Sequence, residues 1–333
     1  MFRGLIIFIV ACSLLISCEK AEKALVLPPP TGASHASVDL GANYDKQIFF
    51  DFETGKSVFT SNPYSWDLAF EAAADGKNVF MNGGKDIYVY NIGIKELSKI
   101  TELPTGVNSS GSGWQYDASC GLPDGTGIGE WYGVAGATKA EVYIVRIASG
   151  VFKKMRILNN TETSYTIEWA PLESTDAPII VQIEKDSSYN YAYYSFKDGI
   201  VKPEPAKSTW DVVFTRYRPL VFHNTAQVYV PYPVTGVLLN PTDTKAAVDS
   251  ITAFAQITLQ QAVDIPSSKC RDVIGYEWKS IDLYGIGGKY TVDRSKNFIL
   301  HTRKGQLYKL RFLDYYNSSG QKGCPLFEYE RLL

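Results

Sequence analysis

The sequence predicts an all-β protein built on an internal duplication, and three observations carry that expectation. Aromatic residues make up 13% of the 333 residues, with 22 Tyr and 16 Phe, and they fall in short alternating runs that suit strands. The stretch Phe49 to Phe70, FFDFETGKSVFTSNPYSWDLAF, returns at Tyr193 to Phe214 as YYSFKDGIVKPEPAKSTWDVVF, so that Phe52, Gly55, Trp66, Asp67 and Phe70 recur 144 positions later. The two copies also close alike. Tyr143-Ile144-Val145-Arg146, Gly150, Lys154 and Arg156 are answered 155 positions later by Phe298-Ile299-Leu300-His301, Gly305, Lys309 and Arg311.

Length and charge bound the reading further. A chain of 333 residues exceeds what one core serves, and 45% hydrophobic residues against 20% charged lets each half bury its own. A formal net charge of −2 gives no electrostatic case for nucleic acid.

In chain order, Arg3 and the apolar run Leu5 to Ile16, too short to span a bilayer, lead into Leu15-Ile16-Ser17-Cys18. This resembles a bacterial lipobox, and implies a lipoprotein signal peptide over residues 1–17 with acyl chains on Cys18, an anchor to the membrane. Residues 18–36 read as anchor and stiff Pro-rich tether, with Pro28-Pro29-Pro30, and the lone His35 is given no role there. One β domain is then expected over 37–172 and a second over 178–333, divided at Ala170 to Pro178.

Within the first copy, Phe50 and Phe52 alternate on one strand face, Gly55 serves a turn, and Trp66, Leu68 and Phe70 share a face of the next strand. Asp67 and Asp211 fall on the opposite faces. A repeated Trp-Asp is read as a packed indole beside a hydrogen-bonding carboxylate, not a catalytic acid. Asn82-Gly83-Gly84 reads as a tight turn between strands. Thr105 to Gly136, rich in Gly, Ser and Asp, reads as a long loop region of the kind that carries binding surfaces. Glu141 to Leu158 reads as a hairpin and Thr163 to Trp169 as a last strand. The second copy is longer, and the extra residues are expected within Leu239 to Lys289.

An aromatic pair and Phe before a Gly turn, then Trp66-Asp67-Leu68-Ala69-Phe70, then Asn82-Gly83-Gly84, then the Tyr143-Ile144-Val145-Arg146 hairpin, resembles the HmuY family of bacterial haem-binding lipoproteins. The second half is similar from Tyr193 through Tyr308-Lys309-Leu310-Arg311-Phe312 to Phe327-Glu328-Tyr329. The resemblance implies two tandem HmuY-like antiparallel β domains displayed on the outer membrane of a member of the Bacteroidota. It also implies capture of haem or a related porphyrin for uptake through a TonB-dependent outer-membrane receptor. A non-catalytic lipoprotein holding a glycan, a peptide or a receptor is the other reading.

Family members hold haem iron between two axial His or two Met. Past the tether only His223, His301, Met81 and Met155 offer those donors. Val79-Phe80-Met81-Asn82 aligns with Val221-Phe222-His223-Asn224, which makes Met81 and His223 the candidate haem ligands; the competing reading is a core thioether and a strand-end histidine. His301, opposite Arg146 in the repeat, reads as solvent-facing and Met155 as core, and Tyr stays open as a ligand. Of the remaining cysteines, Cys120 and Cys270 are repeat equivalents, Cys270 with Cys324 is a candidate disulfide, and no spacing suggests zinc. No GxSxG, P-loop or HExxH occurs, so no enzyme is expected.

Overall fold

The computed structural model describes residues 32–333 apart from 109–112, 149 and 282–287. The expected signal peptide, Cys18 and most of the tether lie outside the described residues.

The first copy contributes β1 (Ser34–Ser37), β2 (Gln47–Asp51), β3 (Lys56–Ser61), β4 (Leu68–Glu71), β5 (Val79–Met81), β6 (Tyr88–Ile94), β7 (Glu141–Ala148), β8 (Val151–Asn160) and β9 (Ser164–Pro171). The second contributes β10 (Ile179–Glu184), β11 (Tyr191–Ser195), β12 (Gly199–Val201), β13 (Val212–Tyr217), β14 (Leu220–His223), β15 (Val228–Pro231), β16 (Val234–Leu239), β17 (Lys245–Asp249), β18 (Lys279–Ile281), β19 (Tyr290–Val292), β20 (Asn297–His301), β21 (Leu307–Tyr316) and β22 (Lys322–Arg331). Among the described residues a single short α-helix, α1 (Leu259–Asp264), begins at the capping box of Thr258 and Gln261. The all-β expectation holds.

All named pairings are antiparallel, and the four main sheets come in two matched kinds. Five-stranded sheets run β10-β9-β8-β7-β6 and β1-β22-β21-β20-β17; four-stranded sheets run β12-β11-β4-β5 and β3-β2-β13-β16. Each five-stranded sheet faces a four-stranded one across an aromatic core. Leu68, Phe70, Tyr194 and Phe196 pack with Tyr143, Met155, Tyr165 and Trp169, while Phe50, Phe214 and Leu239 pack with Phe298, Phe312 and Phe327. Each such buried ring or aliphatic side chain contributes about 1.5–3 kcal/mol.

The copies interlock, which corrects the expected division into bodies at 37–172 and 178–333. Both four-stranded sheets are mixed: Ala192 pairs with Phe70, and Val212 pairs with Phe50. The segment Ala170 to Pro178 is a strand connection, because β10 turns back to pair with β9, Ile179 against Trp169. The equivalent strand in the first copy, β1, crosses to pair with β22, Ser34 against Tyr329. His35 and the last tether residues are therefore an edge strand, and Ala33–Leu333 form one compact unit. The physical reason is edge pairing: the backbone groups of β22 and β9 need partners, and each copy's leading strand supplies one.

Asp67 and Asp211 are framework. The Oδ2 of Asp67 accepts the Phe196 N–H at 2.7 Å and that of Asp211 accepts the Phe52 N–H at 2.9 Å, so each carboxylate ties down a strand of the other copy. Trp66 departs from its expected face and packs edge-on against Tyr193 on the sheet's opposite side, because β4 begins only at Leu68.

Candidate functional site

The inward faces of the two mixed sheets enclose a central cavity. Trp66, Ala69 and Phe80 line one wall, and Phe49, Trp210, Val213 and Leu238 the other. Its volume is ≈ 110 Å³. A larger open cleft of ≈ 790 Å³ adjoins it, walled by Tyr116, Tyr217, Tyr276, Leu220, Val248 and Ile274 with Lys296 at its edge. Asp117, Ala118, Ser119, Tyr217 and Arg218 border both spaces. The wall residues Gln115 to Gly125 belong to the loop region expected to carry a binding surface.

The loops at this junction are stitched across the copies. Cys120 and Cys270 form a disulfide, and Cys324 is buried and free, which corrects the Cys270–Cys324 pairing: the repeat equivalents face each other, and Cys324 sits in β22. Beside the disulfide, Ser119 Oγ donates to Asp272 Oδ2 and the Arg271 N–H to the Cys120 carbonyl at 2.8 Å. The Asp272 carboxylate and the two sulfurs lie within 4.8 Å of one another, but the S–S bond occupies both thiols, so the group holds no metal.

Asp117 anchors the loop onto β5 by accepting from the Met81 N–H and, at 2.7 Å, from the Gly127 N–H. Burial pushes its carboxyl up to about 6, against the pull of those two donors and of Arg218. Gly127 is required here, since a Cβ would stand 2.6 Å from the Met81 methyl and 2.8 Å from the Tyr116 nitrogen. Glu204, also raised by burial, accepts from the N–H groups of Tyr191 and Asn190 and from the Tyr193 hydroxyl.

Arg218 lies 3% exposed between rings, 4.1 Å over Tyr88 and 5.2 Å over Tyr116. Its Nη1 reaches Asp86 at 3.3 Å, while its Nε and Nη2 have no partner. Arg216 Nε and Trp210 Nε1, which border the central cavity, are buried and unpartnered too. Asn82-Gly83-Gly84 is a 3₁₀ turn pressed onto this segment, not a hairpin turn, and a Cβ on Gly84 would lie 2.4 Å from the Arg216 carbonyl.

The candidate iron ligands do not come together in either space. Met81 is buried in the first-copy core at the edge of the central cavity. His223 is exposed at the end of β14, its Nδ1 accepting the Ala226 N–H, and borders neither space. Register corrects their equivalence: Leu68 pairs with Met81 as Val212 pairs with Leu239, so Leu239 is the counterpart of Met81. Asn82 and Asn240 confirm it, each donating Nδ2 to a Trp carbonyl, that of Trp66 and that of Trp210. The extra residues of copy two are the β14–β15 hairpin, upstream of the stretch Leu239 to Lys289. His301 is half-buried, with its pKa lowered by burial and by Lys245, and Met155 is core as expected.

The HmuY protein family matches residues 43–124 and 187–329, more than half of the chain. No curated protein matches it. Among solved structures, apo PinO from Porphyromonas gingivitis is 10% identical with a TM-score of 0.30, covering 90% of this chain and 97% of that one. The apo HmuY analog of Tannerella forsythia is 11% identical at 0.25, covering 90% and 96%. A Bacteroides vulgatus protein named as HmuY-like and heme binding is 14% identical at 0.24, covering 91% and 93%. Scores of this size carry no argument, and the family match stands without them: the chain belongs to the HmuY family.

Proposed function

We propose that this protein is an outer-membrane lipoprotein, anchored through Cys18 and exposed at the cell surface, that binds haem or a related porphyrin for uptake without doing chemistry on it. The observation that carries the reading, beside family membership, is the ≈ 790 Å³ cleft, within the range of small-molecule sites. Its aromatic walls suit a flat apolar ring, and Arg218 and Lys296 at its border suit the carboxylates of a porphyrin.

No imidazole or thioether is among the described residues of the cleft, so its own donors for an axial position are the phenol oxygens of Tyr116, Tyr217 and Tyr276. For Met81 to act as a ligand, the strap from Asp117 to Gly127 would have to open; for His223, the hairpin would have to fold over the cleft. Hand-over to a TonB-dependent receptor completes the proposal.

Titration of the chain from Glu19 onward with haemin tests it. Saturable growth of a Soret band that survives His223→Ala and weakens in Tyr116→Phe or Tyr217→Phe is the expected result. Loss of the band in Met81→Ala or His223→Ala returns the ligation to that pair. Absence of any band, oxidised or reduced, removes the porphyrin reading. In that case a surface lipoprotein that docks a glycan, a peptide or a receptor takes its place, favoured by the exposed Phe222, Val228 and Tyr229 of the β14–β15 hairpin.

A further inference from the structure

We propose that Arg218, with Arg216 and Trp210, forms a buried socket for a carboxylate at the junction of the central cavity and the cleft. Buried donors and acceptors do not balance around the central cavity. Among the described residues bordering the central cavity, the buried side-chain atoms without a partner are Trp210 Nε1, Arg216 Nε, and Arg218 Nε and Nη2, all of them donors. Buried polar groups are nearly always satisfied, and a set made only of donors asks for an acceptor-only ligand, which a carboxylate is and a water molecule is not.

One guanidinium presents a whole edge without a partner. Nε and Nη2 form one edge of Arg218, the edge whose parallel N–H groups grip a carboxylate through two bonds. The opposite side is engaged, since Nη1 reaches Asp86, a half-exposed carboxylate that also lies 3.9 Å from Arg146. Tyr88 and Tyr116 cover the faces of the group and offer no lone pair in its plane. Asp117 is near enough to feel the charge, but its oxygens accept from Met81 and Gly127. The free edge is therefore both desolvated and unclaimed by the protein.

The space at the socket narrows the ligand class. A cavity of ≈ 110 Å³ has room for a carboxylate on a short stem and not for a macrocycle. Because Arg218 also borders the cleft, the group can be a free small acid or the carboxylate arm of a larger molecule held outside. The socket requires neither metal nor porphyrin; only its second source, the arm of a porphyrin in the cleft, rests on the function proposed above.

The test uses acetate and succinate, with chloride at matched ionic strength as control, in calorimetric titration of the wild-type chain from Glu19 onward. Protoporphyrin IX against its dimethyl ester then separates the two sources. Saturable binding of acetate or succinate, weakened by about ten-fold in Arg218→Lys, which keeps the charge and loses the fork, supports a site for free acids. A preference of about ten-fold for the diacid over the ester, lost in the same variant, supports an arm reaching in from the cleft. Trp210→Phe is the second variant should Arg218→Lys fail to fold, and it should weaken whichever binding is seen. Wild-type protein that shows neither a carboxylate response nor a diacid preference overturns the proposal, the donors then being met by water. Haemin binding with no diacid preference and no acetate response sinks the socket alone; acetate binding without haemin binding supports the socket and sinks the porphyrin reading.

Discussion

Asp67 and Asp211 do the same work in the two copies, yet their surroundings differ. Each buried carboxylate holds the backbone of the other copy, and each is followed by an Asn that locks the preceding Trp carbonyl. Asp67 is paired with Lys85, a quarter exposed, at the 3₁₀ turn. Asp211 instead meets Arg303, which bridges it to Asp51 with all three side chains buried. Burial raises the pKa of Asp211 despite that partner. The duplication thus conserves hydrogen bonds to backbone, where geometry leaves no choice, while the counter-ion is free to come from different elements.

The comparison is broken most sharply by deleting the carboxylates. Asp211→Ala takes the acceptor from two buried donors, the Phe52 N–H and Arg303 Nη1, leaving Asp51 alone to hold the guanidinium, and should cost about 3–5 kcal/mol in urea denaturation. Asp67→Ala removes the same backbone acceptor but lets Lys85 turn to water, so about 1–3 kcal/mol is expected. Equal costs would mean that the strand hydrogen bond, and not the buried charge, sets the price.

Met81 and His223 sharpen the contrast between framework and insertion. Met81→Ala opens a void in the first-copy core and should destabilise by about 2–5 kcal/mol, while His223→Ala on the exposed hairpin should stay within about 0.5 kcal/mol. Thermal or urea unfolding measures both. A large effect at His223 would mean that the hairpin is held against the body by contacts beyond its own strands.

Much of the framework is legible in the residues, because burial on a pleated sheet leaves a period-two aromatic signature. The repeat and the Trp-Asp role were readable for that reason, and the loop that borders the cleft by its Gly, Ser and Asp content. The equivalence of Met81 was not, because two segments compete for it: Val221-Phe222-His223-Asn224 and Val237-Leu238-Leu239-Asn240 both echo Val79-Phe80-Met81-Asn82. Only in the second does the closing Asn donate its Nδ2 to a Trp carbonyl. The exchange of β1 and β10 was hidden because edge pairing is chosen by backbone groups that no side-chain pattern marks. Cys120 with Cys270 was visible as an equivalence but not as a bond, since connectivity does not follow from spacing. Arg218 has no mark in the repeat, which does not contain it; a charged residue directly after a buried strand, Val212–Tyr217, is its one signal in the sequence.

A change of pH separates the loop strap from the rest of the framework. Asp117 has a folded pKa of about 6 against an ordinary 3.8, so between those values the folded chain binds more protons than the unfolded one. Its contribution is therefore most favourable below pH 3.8 and is lost as pH rises through about 6. Asp117→Asn keeps an acceptor for one of the Met81 and Gly127 N–H groups, sets its NH2 against the other at a cost that does not vary with pH, and removes the titration. The stability difference between wild type and Asp117→Asn should shift by about 1–3 kcal/mol in favour of the variant from pH 4 to pH 7. Glu204 and Asp211 are also raised by burial, but they remain in both proteins and cancel in the difference. A difference that stays flat over that range would mean that water reaches Asp117 from the cleft, and that the strap over Met81 is looser than the strand framework beneath it.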